Sequence, residues 1–175
     1  MKKIFRLKQN YPRPGKIDWI GIRTGQGKEI LPVDSAELIL DHGIAGDKAG
    51  QIIGSKRQVT LIQAEYLPVM QSLLNKDEIT PALLRRNIVV SGINLSILRG
   101  LKLKIANTVI EITGNCAPCY KMEQALGFGA FNAMRNHGGI NAMVKKGGMI
   151  RIGDEVHVCK EEDTEIQSTA QQKLI

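Results

Sequence analysis

Glycine is the residue that most constrains the fold of this chain, because 18 glycines divide its 175 residues into short segments. Apolar runs of strand length lie between the glycine-rich turns, for example at residues 16–23, 57–62 and 88–90. A doubly wound parallel sheet would require strands that alternate regularly with helices, and this alternation is missing. The pattern therefore predicts a mainly β fold, a mostly antiparallel, closed or nearly closed β-barrel with several short helices.

Turn residues and helical spacing predict several local elements. We expect one hairpin over residues 102–113, turning at Ala106-Asn107, and a last hairpin over residues 149–158, turning at Gly153-Asp154. Apolar spacing and capping residues predict short helices over residues 63–74, 81–85 and 120–126.

The length of the chain suits one sizeable core, so we expect a single folded domain. Residues 1–14 are basic and contain Pro12 and Pro14, which favour an extended arm over a helix. The barrel domain is expected to span residues 15–159, followed by a polar tail at residues 160–175. With this length we expect no additional enzyme domain in front of the barrel.

The net charge is +7 at pH 7, with a marked excess of Lys and Arg in residues 1–28. Such a charge suits an anionic partner, which could be nucleic acid, a phosphorylated cofactor or an acidic protein. The scarcity of aromatic residues argues against a nucleic-acid stacking surface. No apolar run is long enough for a membrane span or a signal peptide, and three cysteines are not a disulfide framework. We therefore expect a cytoplasmic protein with no membrane partner.

A Cys-Ala-Pro-Cys segment, Cys116 to Cys119, follows a predicted strand and precedes a predicted helix. A thiol near a helix N-terminus is favoured as a thiolate, and Lys121 adds a positive charge nearby. A thiolate is a nucleophile or a soft metal ligand. Free cysteine is also a common buried and inert core residue, so both interpretations remain open from this segment alone.

Three kinds of chemistry fit the two cysteines. A structural zinc site would need two more ligands, and the remaining Cys and His residues form no second close pair. Thioredoxin-like exchange would need a βαβ context, which is absent. A third possibility is a thiolate on a soft metal, with a phosphate held by Arg57, Arg86 and the glycine-rich loop at residues 41–50. In that loop Gly43, Gly46 and Gly50 would permit positive φ or close approach of the backbone to a ligand.

A series of short motifs occurs along the chain in the order Gly43-Ile44-Ala45-Gly46-Asp47, Arg57-Gln58-Val59-Thr60-Leu61, Arg86-Asn87-Ile88, Ser91-Gly92, Leu98-x-Gly100 and Pro118-Cys119. Together these motifs resemble the MOSC domain, which is named after the C-terminal part of molybdenum cofactor sulfurases. The resemblance runs from about Ile17 to Val158 and is greatest to small stand-alone bacterial members.

The resemblance implies a β-barrel that binds the molybdenum cofactor, a molybdenum on a phosphorylated pterin dithiolene (molybdopterin). It implies that Cys119 is the catalytic residue and the metal ligand, and it leaves the role of Cys116 open. It also implies a set of cofactor-binding residues: Asp47, Arg57, Thr60, Arg86 and Asn87.

The resemblance further implies an enzyme that reduces N-hydroxylated small molecules such as hydroxylaminopurines or amidoximes. Lys121, His137 or Asp47 could assist protonation of the leaving oxygen. A separate electron-donor protein is expected, because the chain carries no flavin, haem or iron–sulfur motif. The first alternative is a sulfur carrier that holds a persulfide on Cys119 during metal–sulfur cofactor assembly. The second alternative is a basic, non-enzymatic nucleic-acid-binding module. The absence of a desulfurase domain argues against a self-sufficient sulfurase.

Overall fold

The computed structural model of the chain describes residue 4 and residues 7–159. The strands are β1 (Gly15–Ile22), β2 (Leu31–Val33), β3 (Ser35–Ile39), β4 (Gly43–Ile44), β5 (Val59–Gln63), β6 (Ile88–Ser91), β7 (Lys102–Ile105), β8 (Thr108–Asn115), β9 (Ile140–Lys146), β10 (Gly148–Arg151) and β11 (Glu155–Val158). The α-helices are α1 (Tyr66–Leu74), α2 (Tyr120–Leu126) and α3 (Ala130–Ala133), and 3-10 turns cover Lys48–Gln51 and Leu95–Ile97.

Seven of the described strands close into a barrel. They follow the order β1, β11, β7, β8, β9, β5 and β6, and β6 pairs again with β1. All of these pairs are antiparallel except β5 with β6, which are parallel. The predicted fold class, a mostly antiparallel closed β-barrel, is therefore confirmed. Closure also removes the open edges that an exposed sheet would leave.

The barrel interior is filled by alternate side chains of its strands. Leu61 on β5 and both Ile88 and Val90 on β6 lie in the interior core, whereas their neighbours Ile62 and Val89 lie in a second cluster outside it. This is the two-residue period of a strand whose two faces are both buried. The short apolar runs of the sequence therefore form the walls of the barrel.

The helices cover the outer face of the parallel pair. Parallel neighbours need a crossover connection, and the segment between β5 and β6 supplies it with α1. Met70 of α1, Met122 and Leu126 of α2, and Met134 all belong to the outer cluster. This packing holds α2 against the outer face of β5 and β6.

A second sheet of three strands, in the order β10, β3 and β4, lies beside the barrel. The predicted hairpin over residues 102–113 is confirmed, because β7 pairs with β8 around the Ala106-Asn107 turn. The predicted last hairpin is wrong. β10 pairs with β3 in the small sheet, while β11 pairs with β7 and β1 in the barrel. The turn at residues 151–154 therefore carries the chain from one sheet to the other.

Two of the three predicted helices are confirmed, α1 with a start at Tyr66 and α2 with both predicted ends. The predicted helix over residues 81–85 is wrong. Thr80 does begin a turn, since its Oγ1 accepts a hydrogen bond from the Leu83 backbone at 3.3 Å. Arg85 then adopts a φ of 58°, which a right-handed helix cannot contain, and the chain enters β6.

The predicted basic arm lies partly outside the described residues, and the tail at residues 160–175 lies wholly outside them. Within the described part of the arm, the Lys8 amide donates to the Ile4 carbonyl at 3.1 Å and the Asn10 amide to the Leu7 carbonyl at 3.2 Å. The chain therefore turns there before it reaches Pro12. No helix in the described part of the chain has the length and apolar character needed to cross a membrane.

Candidate functional site

The six residues that the sequence predicts for the site line one cavity of about 400 Å³, which we call the cationic cavity. They come from three segments: the glycine-rich loop and the start of β5, the residues before β6, and the start of α2. The predicted members are Asp47, Arg57, Thr60, Arg86, Asn87 and Cys119, and further lining residues include Arg23, Lys48, Arg85, Ala117 and Lys121.

The glycine-rich loop reaches this cavity because two of its glycines take conformations that other residues rarely adopt. Gly43 has a φ of 116°, and a Cβ on it would lie 2.5 Å from the Gln58 carbonyl oxygen. Gly46 has a φ of 75°, which lets the chain turn directly before Asp47. The positive φ that the sequence allows is present at both positions, whereas Gly50 has no positive φ.

Cys119 lies at the start of α2 with an extended backbone, φ −137° and ψ 173°. Its carbonyl accepts a hydrogen bond from the Met122 amide at 2.8 Å, and Met122 is buried in the outer cluster. The side chain of Cys119 itself is exposed and lines the cationic cavity. The thiol is therefore accessible to a bound molecule.

Cys116 has a different environment, although it is only three residues away. It is 2% exposed, and its amide donates to the Gly139 carbonyl at 2.8 Å, next to the last paired residues of β8 and β9. It lines a second cavity together with His137. The two cysteines of the motif thus face two different spaces.

Asp47, Asn87 and Thr60 form a buried hydrogen-bonded network in the wall. The Asn87 amide nitrogen donates to Asp47 Oδ2 at 3.0 Å and to the Gly21 carbonyl at 3.2 Å. Its Oδ1 accepts from the Thr60 hydroxyl at 2.8 Å and the Thr60 backbone at 3.1 Å. Asp47 also accepts from the Arg23 amide and the Ala49 amide, both at 2.8 Å. The side-chain groups of this network are satisfied by the protein, so they hold the wall in place.

Arg86 is a buried cation between the two cavities, only 2% exposed. Its Nε donates to the Gly138 carbonyl at 2.7 Å and its Nη1 to the Leu84 carbonyl at 2.8 Å. Its Nη2 is buried and has no hydrogen-bond partner among the described residues. Burial lowers the pKa of Arg86 from its ordinary value, and the nearby Cys116 thiol, in its charged form, acts in the opposite direction. The guanidinium remains charged, since its ordinary pKa is far above neutrality.

Other guanidinium groups surround the same space. Burial lowers the pKa of Arg23, and Arg85 and Arg57 lower it further, whereas Asp47 opposes them. The Arg23 Nε atom is also buried with no partner in the described part of the chain. Arg57 and Arg85 lower the pKa of Arg86 as well, because like charges repel. The arginines thus form one electrostatically coupled group around the cavity.

Sequence reasoning missed Arg23 and Lys48 as site residues. Arg23 follows β1 and lies more than thirty residues before Arg57, and only the basic excess of residues 1–28 pointed to that region. Sequence reasoning also considered His137 as one of three possible proton donors to the leaving oxygen. The structure instead places His137 in the lining of the second cavity.

The structure thus defines a small β-barrel with an exposed cysteine in a cationic cavity. The family model for the MOSC domain matches residues 48–157, and the chain belongs to this family. This family includes molybdenum-cofactor-binding proteins. The matched region contains five of the six predicted site residues, and the sixth, Asp47, directly precedes it.

Solved structures share the fold at low sequence identity. The YuaD protein from Bacillus subtilis is 19% identical with a TM-score of 0.72, and the match covers 84% of this chain and 97% of that one. YiiM from Escherichia coli is 19% identical with a TM-score of 0.67, covering 86% of this chain and 71% of that one. YiiM from Geobacillus stearothermophilus is 13% identical with a TM-score of 0.68, covering 84% and 76%. The comparison with curated proteins gives no match.

Proposed function

We propose that this protein binds the phosphorylated molybdenum cofactor in the cationic cavity and reduces N-hydroxylated small molecules there. The observation that carries the proposal is the charge of the wall around the exposed Cys119 thiol. Among the described residues, six cationic side chains line the cavity against the single carboxylate of Asp47. Such an excess of coupled positive charge is stabilised when an anion binds.

The lining residues fit a phosphate group. Both oxygens of Asp47 accept hydrogen bonds from amide groups of the protein, and no described arginine side chain lies within ion-pair distance of this carboxylate. The buried Nη2 of Arg86 lacks a partner, and an unpaired buried donor costs about 1–3 kcal/mol. A phosphate oxygen against this wall would remove that cost, with Arg57 and Arg85 positioned to share the charge.

Cys119 is the residue we assign as metal ligand. A thiolate is soft enough for molybdenum, and the Cys119 side chain is exposed in the cavity. When bound, the cofactor would supply two-electron redox chemistry and uptake of an oxygen atom. Cys116 is buried beside the other cavity and takes no part in this assignment.

The buried network has a positioning role in the proposal. Asn87 uses its whole side-chain amide to connect Asp47 with Thr60 and Gly21. It therefore fixes the loop that carries Asp47 against the start of β5. The cofactor contacts predicted for Asp47, Thr60 and Asn87 stay a prediction, and holding the wall is the role that their hydrogen bonds support.

The reaction requires protons as well as electrons. Conversion of R–NHOH into R–NH2 and water consumes two electrons and two protons. The electrons would come from a separate donor protein. Among the three proton donors suggested by the sequence, Asp47 is fully engaged and His137 lines the other cavity. We therefore propose that the Lys121 ammonium, an exposed group in the cavity wall, protonates the leaving oxygen.

The decisive experiment measures the molybdenum content of the protein and of two cysteine variants. The protein is produced in a host that makes the cofactor, and molybdenum per chain is determined for the wild type, Cys119→Ser and Cys116→Ser. We expect molybdenum in the wild type and Cys116→Ser, and loss of the metal and of benzamidoxime reduction in Cys119→Ser. Equal losses in both variants would mean that the wrong thiol was assigned. Salt-dependent duplex binding by metal-free protein would support the nucleic-acid alternative instead.

A second experiment tests the phosphate wall without using activity. Arg57→Gln removes one exposed cation from the cavity, and Arg99→Gln removes an exposed cation that does not line it. A charge-assisted hydrogen bond contributes about 1.5–3 kcal/mol, so we expect Arg57→Gln to weaken cofactor retention by roughly tenfold to hundredfold. Retention should stay unchanged in Arg99→Gln. Equal retention in both variants contradicts the proposed phosphate site.

A sulfur carrier is the second candidate, and the exposure of Cys119 favours it. A persulfide on this residue would be anionic, and the cationic wall would stabilise it. The sulfur would have to come from a persulfide donor protein. A mass increase of one sulfur atom on Cys119 in protein that contains no molybdenum supports this candidate over the reductase.

A further inference from the structure

A second cavity, of about 510 Å³, lies next to the cationic cavity. Ala117 lines both spaces, and the segment from Asn115 to Cys119 contributes to the wall of each. The volume is in the range of small-molecule sites, which is about 300–1,000 Å³. The proposed cofactor site does not use this space, and none of its six predicted residues lines it. We call it the aromatic cavity.

Aromatic rings dominate one part of its wall. The rings of Tyr66 and His137 meet edge to face, with centroids 4.9 Å apart and planes at 68°. Phe131 contributes a third ring and is 44% exposed, so part of its surface is free to contact a ligand. Rings with accessible faces bind flat π-systems by stacking.

Polar groups in the same wall can read the edge of such a ring. Asn115, Asn136 and Ser96 line the cavity. Amide and hydroxyl groups both donate and accept hydrogen bonds, which matches the mixture of donors and acceptors on the edge of a nitrogen heterocycle.

One cation completes the set. Arg135 is exposed, lines the cavity and makes no ion pair with any described residue. None of the described residues that line this cavity carries a carboxylate. A ligand with a single anionic group can therefore place it at Arg135 without meeting a negative side chain.

We propose that the aromatic cavity is a second ligand site, which binds a planar nitrogen heterocycle carrying one anionic group, of the purine nucleoside monophosphate class. The heterocycle stacks on Phe131 and contacts the asparagine side chains, and the phosphate pairs with Arg135. This inference does not depend on the proposed reductase function.

Two hydrogen bonds fix the floor of the site, and the first of them joins it to Arg86 in the wall of the cationic cavity. The Gly138 carbonyl accepts from Arg86 Nε at 2.7 Å, and the Gly139 carbonyl accepts from the Cys116 amide at 2.8 Å. Gly139 can occupy this position because its φ is 91°. The backbone amides of residues 138 and 139 therefore report occupation of the aromatic cavity in a nitrogen-15 NMR spectrum.

The test is titration with adenosine 5′-monophosphate, purine riboside and inorganic phosphate, by calorimetry and by NMR of the labelled protein. We expect saturable binding of the monophosphate with shifts at Gly138 and Gly139, and weaker binding of the riboside. Stacking contributes about 1–3 kcal/mol per base, so Phe131→Ala should weaken the binding of the monophosphate by roughly fivefold to a hundredfold. Phe128→Ala is the matched control, because Phe128 is fully exposed and lines neither cavity.

A second variant separates a folding defect from loss of the site. Arg135→Gln alters an exposed residue. It should weaken the binding of the monophosphate about tenfold and leave the binding of the riboside unchanged. Cys119→Ser and Arg57→Gln, which disrupt the proposed cofactor site, should leave monophosphate binding intact. The proposal is overturned by the absence of saturable binding, by equal effects of Phe131→Ala and Phe128→Ala, or by monophosphate binding that is lost in Arg57→Gln.

Discussion

Substitution of Asn87 by alanine tests whether the buried network holds the site together. The Asn87 side chain makes four hydrogen bonds: two with Thr60, one with Gly21 and one with the Asp47 carboxylate. A neutral hydrogen bond contributes about 1 kcal/mol and one to a charged group about 1.5–3 kcal/mol. The three neutral bonds and the charged one together predict a loss of about 4–6 kcal/mol in the free energy of unfolding. This is a large fraction of the roughly 5–15 kcal/mol that stabilises a typical domain.

Urea denaturation followed by circular dichroism measures this loss. With an m-value of about 2 kcal/mol/M, a loss of about 4 kcal/mol lowers the midpoint by about 2 M and leaves m unchanged. Asn94→Ala is the matched control, because Asn94 is exposed and its side chain accepts only from the Ser96 amide and hydroxyl, at 3.1 and 2.6 Å. Loss of such a cap costs about 1 kcal/mol. If Asn87→Ala costs no more than Asn94→Ala, the network does not hold the wall, and the positioning role fails with it.

Two further substitutions test how the loops around the cavities are fixed. The Glu123 carboxylate accepts from two backbone amides of residues 127–131, at 2.7 and 2.6 Å, so Glu123→Gln should speed amide hydrogen exchange in that segment while exchange in the barrel stays unchanged. Gly139→Ala should prevent folding or cost about 3 kcal/mol or more by thermal denaturation, because a Cβ there would lie 2.1 Å from the Leu61 carbonyl oxygen at a φ of 91°. Gly100→Ala is its control, with a φ of 81° but open space around the Cβ, and should cost only about 1 kcal/mol.

Strand positions could be predicted from the sequence because alternation and turn chemistry are local. The β7–β8 hairpin has both signals, an alternating run on each side of Ala106-Asn107, and its pairing follows from the short turn. The turn at Gly153-Asp154 has the same local signals, and Asp154 accepts a hydrogen bond from the Arg151 amide at 2.8 Å. Its flanking strands nevertheless join two different sheets. Partner choice depends on which faces must be buried, and a local pattern does not contain that information.

The site could be predicted as a set of residues but not as an arrangement. Family resemblance selected Arg57, Arg86 and Cys119, and all three line one cavity. Sequence spacing alone gave no reason for these segments to meet, since barrel closure brings them together. The direction of Arg86 was also beyond sequence reasoning. The sequence offered Arg86 as one possible clamp for a phosphate, and two of its nitrogens instead donate to backbone carbonyls inside the protein.

The distinction between the two cysteines leads to a prediction that needs neither cofactor nor substrate. Cys116 is held by the Gly139 carbonyl beside the paired ends of β8 and β9, whereas Cys119 lies beyond Pro118 at the exposed start of α2. Alkylation by iodoacetamide requires contact with the sulfur atom, so Cys119 should react in the native state. Cys116 should react only when the surrounding structure opens, and its rate should rise with urea as the local opening becomes more frequent. Peptide mass spectrometry at timed intervals measures both rates in one sample. Reaction of Cys116 as fast as Cys119 in native buffer would refute the division, and the two thiols would then have to be treated as a pair that shares one accessible space.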